Sequence, residues 1–143
     1  MPFVQILIHA VWGTKNRYPF LSKEILPLVI KHIRENAKGK GIYIDRLNGA
    51  EEHLHCLFHL NTHMPLSKAM QLVKGESAHW INKEKLTRSR FEWADEYFAA
   101  SVSESAKSRV RKYIENQAEH HKKESFEDEY ERFIKSYGFN SQG

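Results

Sequence analysis

The chain has a single cysteine, Cys56, so it can form no internal disulfide and cannot build a cysteine zinc cage. On an apolar strand face such a residue reads as a small buried hydrophobe. No apolar run approaches the roughly 18 residues that span a bilayer. Nor does the N-terminus show a charged region followed by an apolar stretch and a cleavage site. A cytoplasmic location without membrane contact is expected. Internal repeats and low-complexity segments are absent as well.

What is present fits one domain. The 143 residues, 41% of them hydrophobic, suffice for one compact core and are too few for two. The expected division of residues 1–143 is a core over 1–103, a helix over 104–123, and a C-terminal helix and tail over 124–143. The net charge of +4 is unevenly spread. Residues 1–123 carry 20 Lys and Arg against 13 Asp and Glu, and residues 124–143 carry 2 against 5, leaving the body at +7 and the tail at −3. A basic body suits a polyanion such as nucleic acid, although charge of this size is also common on proteins without such a partner.

The most informative stretch runs from Glu51 to Leu60. Read with a period of two, it places Glu52, Leu54, Cys56, Phe58 and Leu60 on one strand face and His53, His55, Leu57 and His59 on the other. His53 and His55 then point the same way with Cα atoms roughly 6.5 Å apart, close enough for two imidazoles to share one metal ion. His59 lies roughly 13 Å beyond His55 and cannot join them.

Around this strand the pattern gives strand, helix, strand, strand, helix, strand, helix, helix. Phe3 to Trp12 is apolar on both sides and reads as a central strand. Lys15 and Arg17 follow in a loop. Ser22 can cap a helix with Leu26, Val29, Ile30, Ile33 and Ala37 at helical spacing, and Pro27 must sit in its first turns. Ile42 to Leu47 forms the second strand, with Asn48-Gly49 as the expected two-residue hairpin turn. After Pro65, Leu66, Ala69, Met70, Val73, Trp80 and Ile81 mark a second amphipathic helix. The basic segment Lys83, Lys85, Arg88 and Arg90 is flanked by Trp80, Phe91 and Trp93. It can hold a nucleic-acid strand by charge and stacking, or be a solvated loop anchored by aromatics. Tyr97 to Val102 is the fourth strand. Ala106, Val110, Ile114 and Ala118 then stripe a third helix, and a final helix from about Phe126 to Tyr137 has Tyr130, Phe133, Ile134 and Tyr137 to bury. The first six elements have the βαββαβ order of an α+β, ferredoxin-like (RRM-like) antiparallel sheet. Two crossover helices cover one face, and the histidine face is left to the C-terminal helices.

On the third helix Tyr113 and Gln117 stand at i and i+4, about 6 Å apart. Two imidazoles and the Gln117 carbonyl make a three-ligand site with open positions, suited to a divalent ion that must also accept a phosphate oxygen. Mg²⁺ prefers oxygen, so two histidine nitrogens make Mn²⁺ at least as suitable. A phenol at Tyr113 can attack a phosphorus atom polarised by that ion.

These residues resemble a known family. His53-Leu54-His55 is similar to the His-hydrophobe-His motif of HUH endonucleases. Tyr113-Ile114-Glu115-Asn116-Gln117, followed by His120-His121, is similar to the nucleophile helix of their single-tyrosine transposases. Trp12 to Arg17, Leu72 to Ser77 and Phe126 to Tyr130 also resemble that family, the insertion sequence 200-like transposases and their relatives tied to repetitive extragenic palindromes. The resemblance implies that Tyr113 cleaves single-stranded DNA, leaving a 5′-phosphotyrosine and a free 3′-hydroxyl. It further implies that His53, His55 and Gln117 hold Mg²⁺ or Mn²⁺, that the DNA presents hairpin ends, and that the protein is a homodimer in which the tyrosine helix can serve its partner. DNA contacts are expected from Lys15, Arg17, Lys83, Lys85, Arg88, Arg90, Arg109 and Lys112. Many relatives have Asp before the first histidine, where this chain has Glu52; strand alternation turns Glu52 to the core side, away from the metal. His120 and His121 are left outside the metal set, at least one of them as a helix-end cap. Two other readings stand beside this one. One is a noncatalytic ferredoxin-like module that binds single strands or hairpins. The other is a hydrolytic metalloenzyme, which lacks an evident carboxylate at matching spacing.

Overall fold

The structure, a computed structural model, describes residues 2–138. Its centre is a four-stranded antiparallel sheet in the order β2-β3-β1-β4, built from β1 (Leu7–Gly13), β2 (Tyr43–Ala50), β3 (His53–His59) and β4 (Phe98–Val102). The helices are α1 (Leu26–Gly39), α2 (Leu66–Lys83), α3 (Lys107–Glu115), α4 (Gln117–His121) and α5 (Phe126–Ser136). This is the expected α+β, βαββαβ arrangement with C-terminal helices added on the histidine face.

Strand alternation fixes what each face carries. Ile8, Ala10, Trp12, Leu54, Cys56 and Phe58 turn one way and pack with Val29, Ile33 and Ala37 of α1 and Ala69, Met70 and Ile81 of α2. The opposite face carries two smaller apolar clusters. Val11 and Phe98 meet Phe126 and Tyr130 of α5, and Leu7 and Leu57 meet Ile114 of α3.

Several boundaries differ from expectation for identifiable reasons. β1 begins at Leu7 rather than Phe3, because β3 and β4 both end opposite Leu7; one further backbone bond, from the Leu60 N–H to the Ile6 carbonyl at 2.8 Å, does not extend the strand. Phe3, Val4 and Ile6 are consequently exposed. Asn48-Gly49 is not the hairpin turn. Both residues lie within β2, paired with His55 and Leu54, and Glu51-Glu52 makes the reversal. Glycine is needed at position 49 because a side chain there would run into the His53 carbonyl. Asn48 is used elsewhere: its side-chain amide donates to the carbonyls of Ile114 (3.0 Å) and Glu115 (3.2 Å). Those two oxygens close α3, and the helix expected to run unbroken over 104–123 is interrupted at Asn116 (φ −98°, ψ 25°) before α4 resumes. Of the residues expected to be buried on α5, Tyr130 is, Phe133 and Ile134 are half-buried, and Tyr137 is exposed.

A bulge in β2 between Ile44 and Arg46 leaves Asp45 as the extra residue. Its carboxylate receives both arms of the Arg111 guanidinium at 2.7 and 2.5 Å. That forked pair ties α3 to β2.

Candidate active site

β3 delivers His53 and His55 to the face beneath the C-terminal helices, where they are 1% and 0% exposed. Each imidazole is oriented through Nδ1. His53 Nδ1 donates to Glu52 Oε1 at 2.8 Å, which puts the proton on Nδ1 and leaves a lone pair on Nε2. Glu52 therefore serves the histidine side after all, since it lies in the turn where strand alternation has stopped. His55 Nδ1 lies 2.9 Å from Nε2 of His9, a buried β1 residue. With its proton on Nδ1, His55 donates to His9 and also turns a lone pair outward. Burial, with His55 next to it, lowers the His9 pKa to about 3. Burial likewise brings His55 to about 4, against the opposing pull of Glu129.

Both Nε2 atoms converge on oxygen. His53 Nε2 is 3.0 Å from Gln117 Oε1 and 3.4 Å from Glu129 Oε1, and His55 Nε2 is 3.0 Å from the same Glu129 oxygen. The Gln117 amide is aimed by its own N–H group, which donates to the Tyr113 carbonyl at 3.3 Å. Gln117 and Glu129 are 0% and 1% exposed. Two imidazole lone pairs, one carboxylate and one amide oxygen thus face a common point in a dry setting. His53, His55 and Glu129 place their ligand atoms within 4.8 Å of one another. The donor set fits a divalent cation, because imidazole nitrogens with a carboxylate and an amide oxygen are the ligands such an ion takes, and at this point it would replace shared protons.

Tyr113 completes the cluster. Its hydroxyl donates to Glu129 Oε2, lies 3.0 Å from His120 Nε2, and accepts from the Arg132 guanidinium at 3.1 Å. Burial and then the Glu129 charge raise the phenol's pKa, while Arg132 pulls the other way. Burial alone would raise the Glu129 carboxyl, but the His55 imidazole beside it and the Tyr113 hydroxyl that donates to it hold it down at about 2. Glu129 therefore links the histidine pair to the tyrosine through its two oxygens. His120 also meets Glu124 Oε1 at 2.8 Å, and His121 meets Glu52 Oε2 at 3.3 Å, so both histidines bond into the site.

α5 closes over this arrangement. Phe126 stacks on the His53 ring at 4.2 Å and 9°, with the Arg17 guanidinium 4.7 Å from its centroid on this stack. Phe126 can come so close only because position 13 is glycine; a Cβ there would stand 2.5 Å from Phe126 Cε2.

His53, His55, Gln117 and Tyr113 are brought together as the sequence spacing predicts. The expected DNA-contact residues are dispersed. Lys15 pairs with Glu92 at 2.8 Å, and Arg17 pairs with Glu96 at 3.2 Å beside α5. Lys83, Lys85, Arg88 and Arg90 are exposed around the C-terminal end of α2, and Arg109 and Lys112 are exposed on α3. The aromatics beside the basic segment offer no stacking platform: Phe91 and Trp93 are buried in the core, and Trp80 stacks on His32 at 3.9 Å. They anchor a solvated loop.

Four participants escape the sequence reading. Glu129 is the carboxylate that seemed missing, and its signal was an acid inside the apolar stripe Phe126, Tyr130, Phe133. His9 interrupts an otherwise apolar strand on the histidine face. Glu52 was set aside by an alternation that ends one residue too early. Arg132 carried no signal, being one cation on the exposed side of a helix.

Residues 3–117 match the family model of IS200-like transposases. The chain is similar to the ISDra2 transposase TnpA of Deinococcus radiodurans, with 27% identity over 119 residues that cover 79% of this chain and 84% of that protein. Its fold is similar to a crystal structure of a Deinococcus radiodurans R1 protein assigned as a transposase, with TM-score 0.66 and 22% identity over 81% of this chain and 93% of the other. It is also similar to a REP-associated tyrosine transposase bound to a REP hairpin, with TM-score 0.64 and 14% identity over 85% and 72%. No described helix is long and apolar enough to cross a membrane.

Proposed function

The chain belongs to the family of IS200-like transposases, and on that premise we propose that it cuts and rejoins single-stranded DNA through Tyr113, with a divalent metal held at His53 and His55. The observation that carries this reading is the shared carboxylate. One Glu129 oxygen stands 3.0 Å from His55 Nε2, and the other accepts from the Tyr113 hydroxyl.

In the proposed reaction the Tyr113 oxygen attacks phosphorus as its proton passes to Glu129 Oε2. An O–P bond forms to tyrosine and the bond from phosphorus to the 3′-oxygen breaks, giving a 5′-phosphotyrosine and, after protonation, a 3′-hydroxyl. The ester keeps the phosphodiester's bond energy, so a second 3′-hydroxyl can reverse the attack and join a new strand. Arg132 donates to the phenol oxygen and offsets the charge that develops there. Gln117 and Glu129 add oxygen ligands to the two imidazoles. A bound Mg²⁺ or Mn²⁺ would polarise a phosphoryl oxygen and stabilise negative charge in the transition state.

The REP hairpin held by one structural relative supports hairpin-ended DNA as the substrate form. The Tyr113 and His55 rings of the same chain stand 5.5 Å apart, which supports attack within a single subunit. The expected homodimer and cytoplasmic location belong to the same proposal. If attack is within one subunit, a mixture of Tyr113→Phe and His55→Ala proteins forms no adduct; restored activity would assign the attack to the partner.

The deciding experiment incubates the protein with single-stranded DNA containing its element's ends, with Mn²⁺ or with EDTA, followed by denaturing electrophoresis. A metal-dependent protein-DNA adduct that is lost in Tyr113→Phe is expected. Tight binding without adduct or cleavage would favour the noncatalytic binding module.

A further inference from the structure

A cavity of about 480 Å³ opens beside Tyr113, between α3, the end of β4 and α5. His9, Arg109, Tyr113, Arg132, Phe133 and Tyr137 supply its chemistry. The volume falls in the range of roughly 300–1,000 Å³ typical of small-ligand pockets, room for one nucleotide and not for a duplex. Its lining has two guanidiniums and no carboxylate.

The contrast with a larger cavity of about 1050 Å³, between the Lys15–Arg17 turn and α2, is informative. There Lys15, Arg17, Lys74 and Arg90 are matched by Glu92, Asp95, Glu96 and Glu127. Lys15 and Arg17 are in ion pairs, and Lys74 donates to the carbonyls of Ala94 (2.7 Å) and Asp95 (3.1 Å). Carboxylates in its own lining offset its cations, so size alone does not make it an anion site.

In the smaller cavity Arg109 is exposed and has no ion-pair partner among the described residues. It lies one helical turn before Tyr113 and shares its face of α3. Arg132 stands on the opposite wall, 3.1 Å from the Tyr113 hydroxyl, with Glu124 as its carboxylate partner at 3.0 Å. Phe133 stacks on Phe98 at 5.3 Å and fixes the cavity floor, whereas Tyr137 leaves its ring exposed. One cation on the hydroxyl, a second lining the same cavity and an exposed aromatic ring on its wall supply the two kinds of contact, guanidinium to phosphate and ring to base, that one nucleotide offers.

We propose that this cavity seats the nucleotide adjoining the scissile phosphate of single-stranded DNA, with Arg109 and Arg132 on the phosphate oxygens and Tyr137 against the base. The proposal rests on the reading of Tyr113 as nucleophile. It adds that one base beside the cut is held by the protein.

The test scans a cleavable strand with single abasic sites and measures kcat/KM for adduct formation by the full chain with Mn²⁺. One abasic position next to the cut is expected to reduce kcat/KM about tenfold or more. Tyr137→Ala should reduce the intact substrate similarly and lose sensitivity to that position, because base and ring are the same contact. Strictly additive losses, or no sensitive position, would overturn the proposal. A second measurement is independent of cleavage: anisotropy of a fluorescent single-stranded decanucleotide with Tyr113→Phe protein across salt concentrations. Adding Arg109→Gln should weaken binding and flatten the log–log salt slope by about 0.7, and an unchanged slope would overturn the phosphate contact. If wild-type protein forms no adduct while Arg109→Gln still flattens the slope, the nucleophile reading fails and the phosphate contact stands.

Discussion

The sheet face under α1 and α2 carries Ile8, Ala10, Trp12, Leu54, Cys56 and Phe58 against apolar helix stripes. One residue along the same strands, the face under α3, α4 and α5 carries His9, His53 and His55, buried together with Gln117 and Glu129. The first face gains stability from apolar area removed from water. The second buries five polar side chains, each of which would be costly without a partner. Each of the five has one. Among the described residues the sole buried side-chain nitrogen or oxygen without a partner is Trp12 Nε1, on the apolar side. Period-two alternation thus lets neighbouring residues serve unrelated demands, burial of apolar area on one face and mutual pairing of polar groups on the other.

Adjacent residues on β3 give the sharpest test. His55→Ala should lower adduct formation by more than about 100-fold, the upper range for losing even an outer-shell partner of a metal ligand. Leu54→Ala should cost about 2–5 kcal/mol of stability while leaving the rate per folded molecule within about twofold. Denaturant titration and single-turnover kinetics on both variants check the pair. A slow Leu54→Ala enzyme at full folding would break the division of labour.

A smaller effect is expected one shell out. His9→Phe removes the imidazole hydrogen-bonded to His55 Nδ1 and should weaken Mn²⁺ binding about 10–100-fold by calorimetry, with little change in fold. Full affinity would show that His55 needs no such orientation.

The histidine face should also set the acid limit of the protein. His9 and His55 have folded pKa values of about 3 and about 4, lowered from 6.5. Below pH 6.5 the unfolded chain therefore takes up protons that the folded chain refuses. Each histidine then removes about 1.4 kcal/mol per pH unit until its folded pKa is reached. His53, His120, Tyr113, Glu129 and Arg132 face this pair, and Glu129, held at about 2, acts in the same direction only below its ordinary 4.5. In EDTA the urea midpoint should fall between pH 7 and pH 5. A flat midpoint would show that these imidazoles accept protons in place.

The smallest change expected comes from Asn48→Ala, which removes two hydrogen bonds to the end of α3 and should cost about 1–2 kcal/mol. Hydrogen exchange at the junction of α3 and α4 should accelerate while the apolar face stays protected. Unchanged exchange there would dissociate Asn48 from the helix break.

Much of the fold was legible because it rests on local periodicity. The alternation through His53 to Leu60 assigned both faces of β3 correctly, and the i, i+4 relation of Tyr113 and Gln117 survived the break at Asn116, which leaves the Gln117 amide bonded to the Tyr113 carbonyl. Asn48-Gly49 was misleading because a turn-forming pair also suits a strand that needs a close backbone approach and a side-chain donor. Glu129 lay hidden for a different reason. It bonds His55 across 74 residues of sequence, and no local spacing predicts such a contact.

By itself, the sequence determined which side chains share a face, since a strand's pleat and a helix's turn fix directions within each element. It thereby paired His53 with His55 and Tyr113 with Gln117. Tertiary structure alone decided that α5 lies over the histidines, that Glu129 joins them to Tyr113, and that Arg109 and Arg132 face one cavity. Those relations depend on how elements far apart in sequence pack, and packing is set by the fit of whole surfaces rather than by any residue's neighbours along the chain.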